Sequence, residues 1–176
     1  MTTLYVMMGP PACGKSTLAK NLTEKLDTVT VSPDEVRREL YGDESVQKDH
    51  DKVFGLCHDR MCQALLEGKE VVFDATNLVP KYRINLIDLA RTIGGCDLVV
   101  GIIYTGTLEA CLERNSKRTR KVPEGVIRNM YDTLKRFPPS FDEGFDAFTR
   151  MDLLADISAY KMTENSLKSM RNLHME

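Results

Sequence analysis

The sequence predicts an α/β fold, a mostly parallel sheet flanked by helices on both faces, with a helical basic lid. Three observations lead there. Short β-branched or apolar runs alternate with segments of helical period. A glycine loop ending in Gly14-Lys15-Ser16 lies between the first run and the first helical segment, and two later runs end in an acid, Asp34 and Asp74.

Each element follows from its own pattern. The run Leu4, Tyr5, Val6, Met7, Met8 stops at a Gly/Pro turn, and Leu18, Leu22 and Leu26, four apart, mark a helix from Lys15. A second strand, 28–31, meets Ser32-Pro33-Asp34-Glu35, which reads as a helix start with Ser32 as N-cap, Pro33 first and an acidic first turn. Apolar residues keep a helical period over 46–66, with Gly68 as the stop, before a third strand at 70–73. A helix after Pro80 runs to Gly94-Gly95, and 98–104 is a fourth buried strand. Leu108, Cys111 and Leu112 begin a helix that runs into the basic stretch 114–121. Another follows from Glu124, and 145–151 is a weaker strand. Residues 160–176 fit either a final amphipathic helix or a frayed end.

At 176 residues, 42% of them hydrophobic, the chain supports one domain over 1–176, with a core over about 3–151. The formal charge of −2 provides no field to draw the whole molecule along nucleic acid, so such contact requires a local basic patch. No apolar run reaches membrane-spanning length and no leader precedes Leu4, so a cytoplasmic protein without membrane partners is expected. The cysteines Cys13, Cys57, Cys62, Cys96 and Cys111 are odd in number and lack a C-x-x-C pair, which fits small buried residues in a reduced compartment. His58 and Cys62 stand four apart, but no second well-spaced pair completes the ligand set of a structural zinc site.

The loop Gly9-Pro10-Pro11-Ala12-Cys13-Gly14-Lys15-Ser16-Thr17 fits G-x-x-x-x-G-K-[ST] and lies between strand and helix, as a phosphate cradle requires. Its glycines let backbone N–H groups approach an anion at a helix start. Lys15 is expected on the β- and γ-phosphates of ATP and the Ser16 hydroxyl on Mg2+. Asp34, at a strand end facing the nucleotide, is the candidate general base for an acceptor hydroxyl, its structural alternative being a capping acid. Arg37, three residues on, shares its helix face and suits an acceptor phosphate, or pairs with Asp34 within the helix. Asp74 is a candidate for magnesium's water shell, and Thr76 and Asn77 for acceptor or γ-phosphate. If the helix continues, Arg114, Lys117, Arg118 and Lys121 share one face of a lid that carries arginine to the developing charge; a solvated helix end is the alternative.

Those segments, with P-D-E-V-R-R, D-A-T-N-L-V-P and L-E-R-N-S-K-R-T-R-K-V-P-E-G-V-I-R-N-M-Y, resemble the kinase domain of bacteriophage polynucleotide 5′-hydroxyl kinase over about residues 3 to 136. The resemblance implies ATP and Mg2+ on Lys15 and Ser16, Asp34 as base, and Arg37 on the nucleotide phosphate beside the attacking hydroxyl. It also implies Arg118, with Arg114 second, on the ATP phosphates. Where the phage member carries Ser-Asp-Thr-Asn, this chain has Asp74-Ala75-Thr76-Asn77, and it has no D-x-D-G-T phosphatase signature.

The leading expectation is therefore an ATP-dependent kinase of a DNA or RNA 5′-hydroxyl end, a nucleic-acid repair activity, with homo-oligomers left open. The runner-up is a kinase of a nucleoside, sugar or modified-base hydroxyl. A nucleotide-binding switch ranks last, because N-K-x-D and D-x-x-G are both missing.

Overall fold

The computed structural model describes residues 1–151, so the expectation for 160–176 lies outside the described residues. Five parallel strands form one sheet: β1 (Thr3–Met8), β2 (Val29–Val31), β3 (Val71–Phe73), β4 (Leu98–Tyr104) and β5 (Ala147–Met151), in spatial order β2-β3-β1-β4-β5. All pairings are parallel, with Leu4 opposite Val71 and Val99. Parallel neighbours need crossovers, and helices supply them: α1 (Lys15–Leu26), α2 (Pro33–Tyr41), α3 (His50–Leu66), α4 (Pro80–Thr92), α5 (Leu108–Ser116) and α6 (Glu124–Arg136).

The continuous apolar run of β1 reflects burial on both faces. Leu4, Val6 and Met8 face a core built with residues of α2, α3, α4 and α6. Tyr5 and Met7 face the opposite core, where α1 contributes Leu18, Ala19 and Leu22. A third cluster, Cys13, Tyr104, Cys111 and Ile127, packs α5 and α6 against the glycine loop. All five cysteines are buried and unpaired, and burial pushes the Cys57 thiol up to about 11.

Two elements differ from the periodicity. The third helix begins at His50 rather than near Val46, because Asp43 takes the backbone N–H of Ser45 at 2.7 Å and its hydroxyl at 2.7 Å. That side-chain turn competes with helix formation. The second difference lies in the lid. Helix α5 ends at Ser116, so the basic stretch is not one continuous helix. Buried Asn115 explains this: its amide nitrogen donates to Val122 O at 2.8 Å and its oxygen accepts from Val122 N at 2.9 Å. The bracket folds 116–121 into a loop, and Pro123 follows as N-cap of α6.

One buried ion pair fixes the far side of the sheet ends. Arg83 of α4 is fully buried; its Nε and Nη2 donate to Glu143 at 2.5 and 2.6 Å. The remaining N–H groups reach the carbonyls of Asn77, Leu78 and Phe137. All the guanidinium's hydrogen-bonding capacity is thus directed inward. Removing one partner leaves an uncompensated buried charge, so Arg83→Met should lower unfolding free energy by about 3–5 kcal/mol in urea titration. Arg91→Ala, which removes a partner of Asp146 that is about one-third exposed, should cost about 1 kcal/mol or less. Equal losses would show that burial does not set the cost.

Candidate active site

The carboxyl ends of β1, β2 and β3 are tied together by backbone hydrogen bonds. Gly9 N donates to Thr76 O at 3.1 Å, and Asp74 N donates to Val31 O at 2.9 Å. The segments following those strands therefore meet around one cleft of about 620 Å³, a size typical of ligand sites.

The loop after β1 is wound for close approach. A Cβ at Gly9 would meet Cys13 Sγ at 2.7 Å and Tyr104 Cβ at 2.9 Å. Gly14 has φ 98, and Ala12 holds the left-handed region at φ 61, where glycine carries no steric penalty. Gly14 is also the N-cap of α1; it makes no side-chain cap bond, and the first turn contains no acid. The helix thus begins with its N–H groups uncapped by any side chain, the arrangement that receives an anion. Lys15 Nζ donates to Pro10 O at 2.7 Å and approaches Cys13 Sγ at 3.7 Å.

Pro11, Ala12, Lys15 and Ser16 line the cleft, whereas buried Cys13, together with Gly9, Pro10, Gly14 and Thr17, shapes the loop outside that lining. The same lining includes Asp34 and Arg37 of α2 and Asp74, Ala75 and Thr76 after β3. Asp34 is more than half exposed, while Arg37 is buried with a side chain only 7% accessible. Their pair is real, Arg37 Nη1 to Asp34 Oδ1 at 2.9 Å. It leaves Arg37 Nε buried with no partner among the described residues. A buried guanidinium N–H without an acceptor is costly, and on a cleft wall it is a position for an incoming anion.

Asp74 is buried, and desolvation pushes its carboxyl above the ordinary aspartate range, opposed by a hydrogen bond with Ser16 and by the Lys15 ammonium. Among the described residues no three acidic, His or Cys side chains group as a metal cage. The Ser16 hydroxyl beside the Asp74 carboxylate is the hard-oxygen pair that suits a magnesium ion held mainly by phosphate oxygens.

The lid completes the charge pattern. Arg118 and Lys121 line the cleft, and Arg114 Nη1 donates to Cys13 O at 3.0 Å, tying α5 to the glycine loop. The lining holds Lys15, Arg37, Arg118, Arg120 and Lys121 against Asp34 and Asp74 alone. Asn77, expected at the acceptor or γ-phosphate, lies outside that lining and donates to Met7 O at 2.7 Å from a left-handed backbone at φ 46, bracing the strand end. The periodicity also gave no sign that His50, Phe54, Val126 and Met130 form cleft wall. Their spacing of four marks a helix face, which sequence alone assigns to core.

Residues 4–137 match the family model described as AAA domain. The L-seryl-tRNA(Sec) kinase of Methanococcus maripaludis is 29% identical over 137 residues, 73% of this chain and 51% of that protein. The chain thus spans about half the length of that relative. A gluconokinase from Sinorhizobium meliloti superposes with a TM-score of 0.61 at 17% identity, covering 95% of this chain and 97% of the other. A chain of the Pnkp1/Rnl/Hen1 RNA repair complex gives 0.67 at 21% identity, covering 82% and 46%. The two structures establish the parallel-sheet fold. Among the described residues no helix is long and apolar enough to cross a membrane.

Because its folded carboxyl titrates above the unfolded value, Asp74 is destabilising wherever it is ionised in both states. That penalty grows as pH rises above the unfolded value of about 3.9 and is absent below it, where both states are protonated. Asp74→Asn should therefore unfold at higher urea than the parent at pH 7, with the difference vanishing toward pH 3. A variant less stable at pH 7 would contradict the desolvation account.

Proposed function

The chain belongs to the AAA domain family, matched over residues 4–137, and from that premise we propose that its cleft transfers the γ-phosphate of ATP to a hydroxyl, the 5′-hydroxyl end of DNA or RNA. The observation that carries this reading is the pairing of exposed Asp34 with buried Arg37, whose Nε has no partner among the described residues, in the cleft that the glycine loop also lines. A phosphate-bearing acceptor satisfies both groups at once. Arg37 holds the acceptor's phosphate, and Asp34, fixed to Arg37, stands beside the hydroxyl next to that phosphate.

In this scheme Asp34 accepts the hydroxyl proton as the new oxygen–phosphorus bond forms. Lys15 and the N–H groups opening α1 hold the departing diphosphate, and Arg118 meets charge on the transferring group from the lid side. Ser16 and Asp74 would hold the magnesium ion, which supplies charge neutralisation at the phosphates when bound. Thr76 lies on the same wall and is assigned to the acceptor.

A second reading, a kinase of a nucleoside, sugar or modified-base hydroxyl, is favoured by the net charge of −2. The likeness to L-seryl-tRNA(Sec) kinase adds a serine hydroxyl on tRNA to the acceptors worth testing. Labelled ATP offered with 5′-hydroxyl oligonucleotides, nucleosides, sugars and seryl-tRNA separates these: the proposal expects label at oligonucleotide 5′ ends, and label only on small molecules would overturn it. Arg37→Ala should then raise KM for the phosphate-bearing acceptor about tenfold or more while KM for ATP changes little, as expected for a lost charge-assisted bond. Equal effects on both substrates would remove Arg37 from the acceptor site.

A further inference from the structure

At the rim of the cleft the carboxylate of Glu44 lies between two guanidinium groups from different parts of the fold. Its Oε1 accepts from Arg120 Nη1 of the lid at 2.8 Å, and its Oε2 pairs with Arg38 Nη2 of α2. Arg38 first, and Arg120 after it, hold the Glu44 carboxyl below the ordinary glutamate range. Glu44 is about one-quarter accessible, Arg120 about one-third and Arg38 more than half. Ion pairs so exposed are screened by solvent and too weak to hold a lid shut.

Three features mark the arrangement as an anion site in use by the chain itself. Two guanidiniums, separated in sequence by most of the fold, converge on the two oxygens of one anion, the recognition geometry of a carboxylate or a phosphate diester. Arg120 lines the same cleft as Arg37, so the rim position adjoins the wall that carries the Nε left without a partner among the described residues. The connector that bears Glu44 also contributes Ser45 and Gln47 to the cleft lining, which places the carboxylate beside the acceptor's path.

We propose that Arg38 and Arg120 form a second phosphate subsite for the acceptor strand, and that Glu44 occupies it as a carboxylate placeholder displaced by the phosphate following the one held by Arg37. This rests on the 5′-hydroxyl acceptor reading above and deepens it. The enzyme then prefers a strand end with two consecutive phosphates to a single nucleotide, and Glu44 opposes binding of the longer acceptor.

The test compares thymidine 3′-monophosphate (Tp) with the 3′-phosphorylated dinucleotide TpTp, measuring equilibrium binding to the full chain and transfer from ATP. Wild type should bind TpTp about tenfold more tightly than Tp, on the order of one charge-assisted contact. Arg38→Met combined with Arg120→Met should bring that ratio toward one, and Glu44→Gln should tighten TpTp several-fold while leaving Tp unchanged. A ratio that survives the double substitution, or a Glu44→Gln variant that binds TpTp no better, overturns the subsite. A lid latch would instead make Glu44→Gln weaken both ligands. Because binding is read separately, tight TpTp binding without any transfer counts against the kinase reading and leaves the subsite standing.

Discussion

The arrangement of the cleft depends on a carboxylate that the sheet forces out of water. Val71, Val72 and Phe73 are buried on both faces, and the strand they form ends at Asp74, which has no route to solvent except into the cleft. Desolvation disfavours its charge, and Ser16 and Lys15 offset part of that penalty. The same residue's N–H fixes the end of β2 through Val31 O, and Thr76 O fixes the end of β1 through Gly9 N. Those two bonds set where the glycine loop and the first turn of α2 can lie. A cation bound between Ser16 and Asp74 would relieve the burial cost, which links the local instability to the use we assign to it.

Around that centre the fold builds two kinds of support. Behind the cleft, Arg83, paired with Glu143, donates to the carbonyls of Asn77 and Leu78 and to that of Phe137 at the end of α6, tying together otherwise separate segments. Above the cleft the ties are lighter. Asn115 brackets Val122, Arg114 reaches Cys13 O, and Arg120 meets Glu44 at the rim. The lid thus presents a folded basic loop whose anchor is buried and whose charged side chains are exposed, a division suited to motion against a fixed floor.

Much of this was legible in the sequence for identifiable reasons. Strands buried on both faces produce unbroken apolar runs, so β1 and β4 stood out, and the glycine loop declared itself because few residue types tolerate its backbone. Asp34 and Asp74 were visible as acids at strand ends, and both line the cleft. The charge pattern of 114–121 allowed a helix that continues through the lid, and the Asn115 bracket that ends it depends on a partner seven residues away. Asn77 was read as a candidate for acceptor or γ-phosphate from its neighbours, and its bond to Met7 O from a left-handed backbone carries no local sequence signal. Arg83 and Glu143 lie 60 residues apart and carry no local signal of their pairing. The role of His50, Phe54, Val126 and Met130 as cleft wall also depends on tertiary placement, since a helix facing a cleft and one facing a core share the same period.

The central claim is that Asp34 takes the acceptor proton, and Asp34→Asn tests it most directly because the substitution keeps size and much of the capping ability at a helix start. With an acceptor that the wild type phosphorylates and conditions in which chemistry limits the rate, kcat should fall by roughly 10² to 10⁴, while ATP affinity stays nearly unchanged. Retention of more than about a third of the wild-type kcat would contradict proton abstraction by Asp34, since that lies far above the loss expected for a general base.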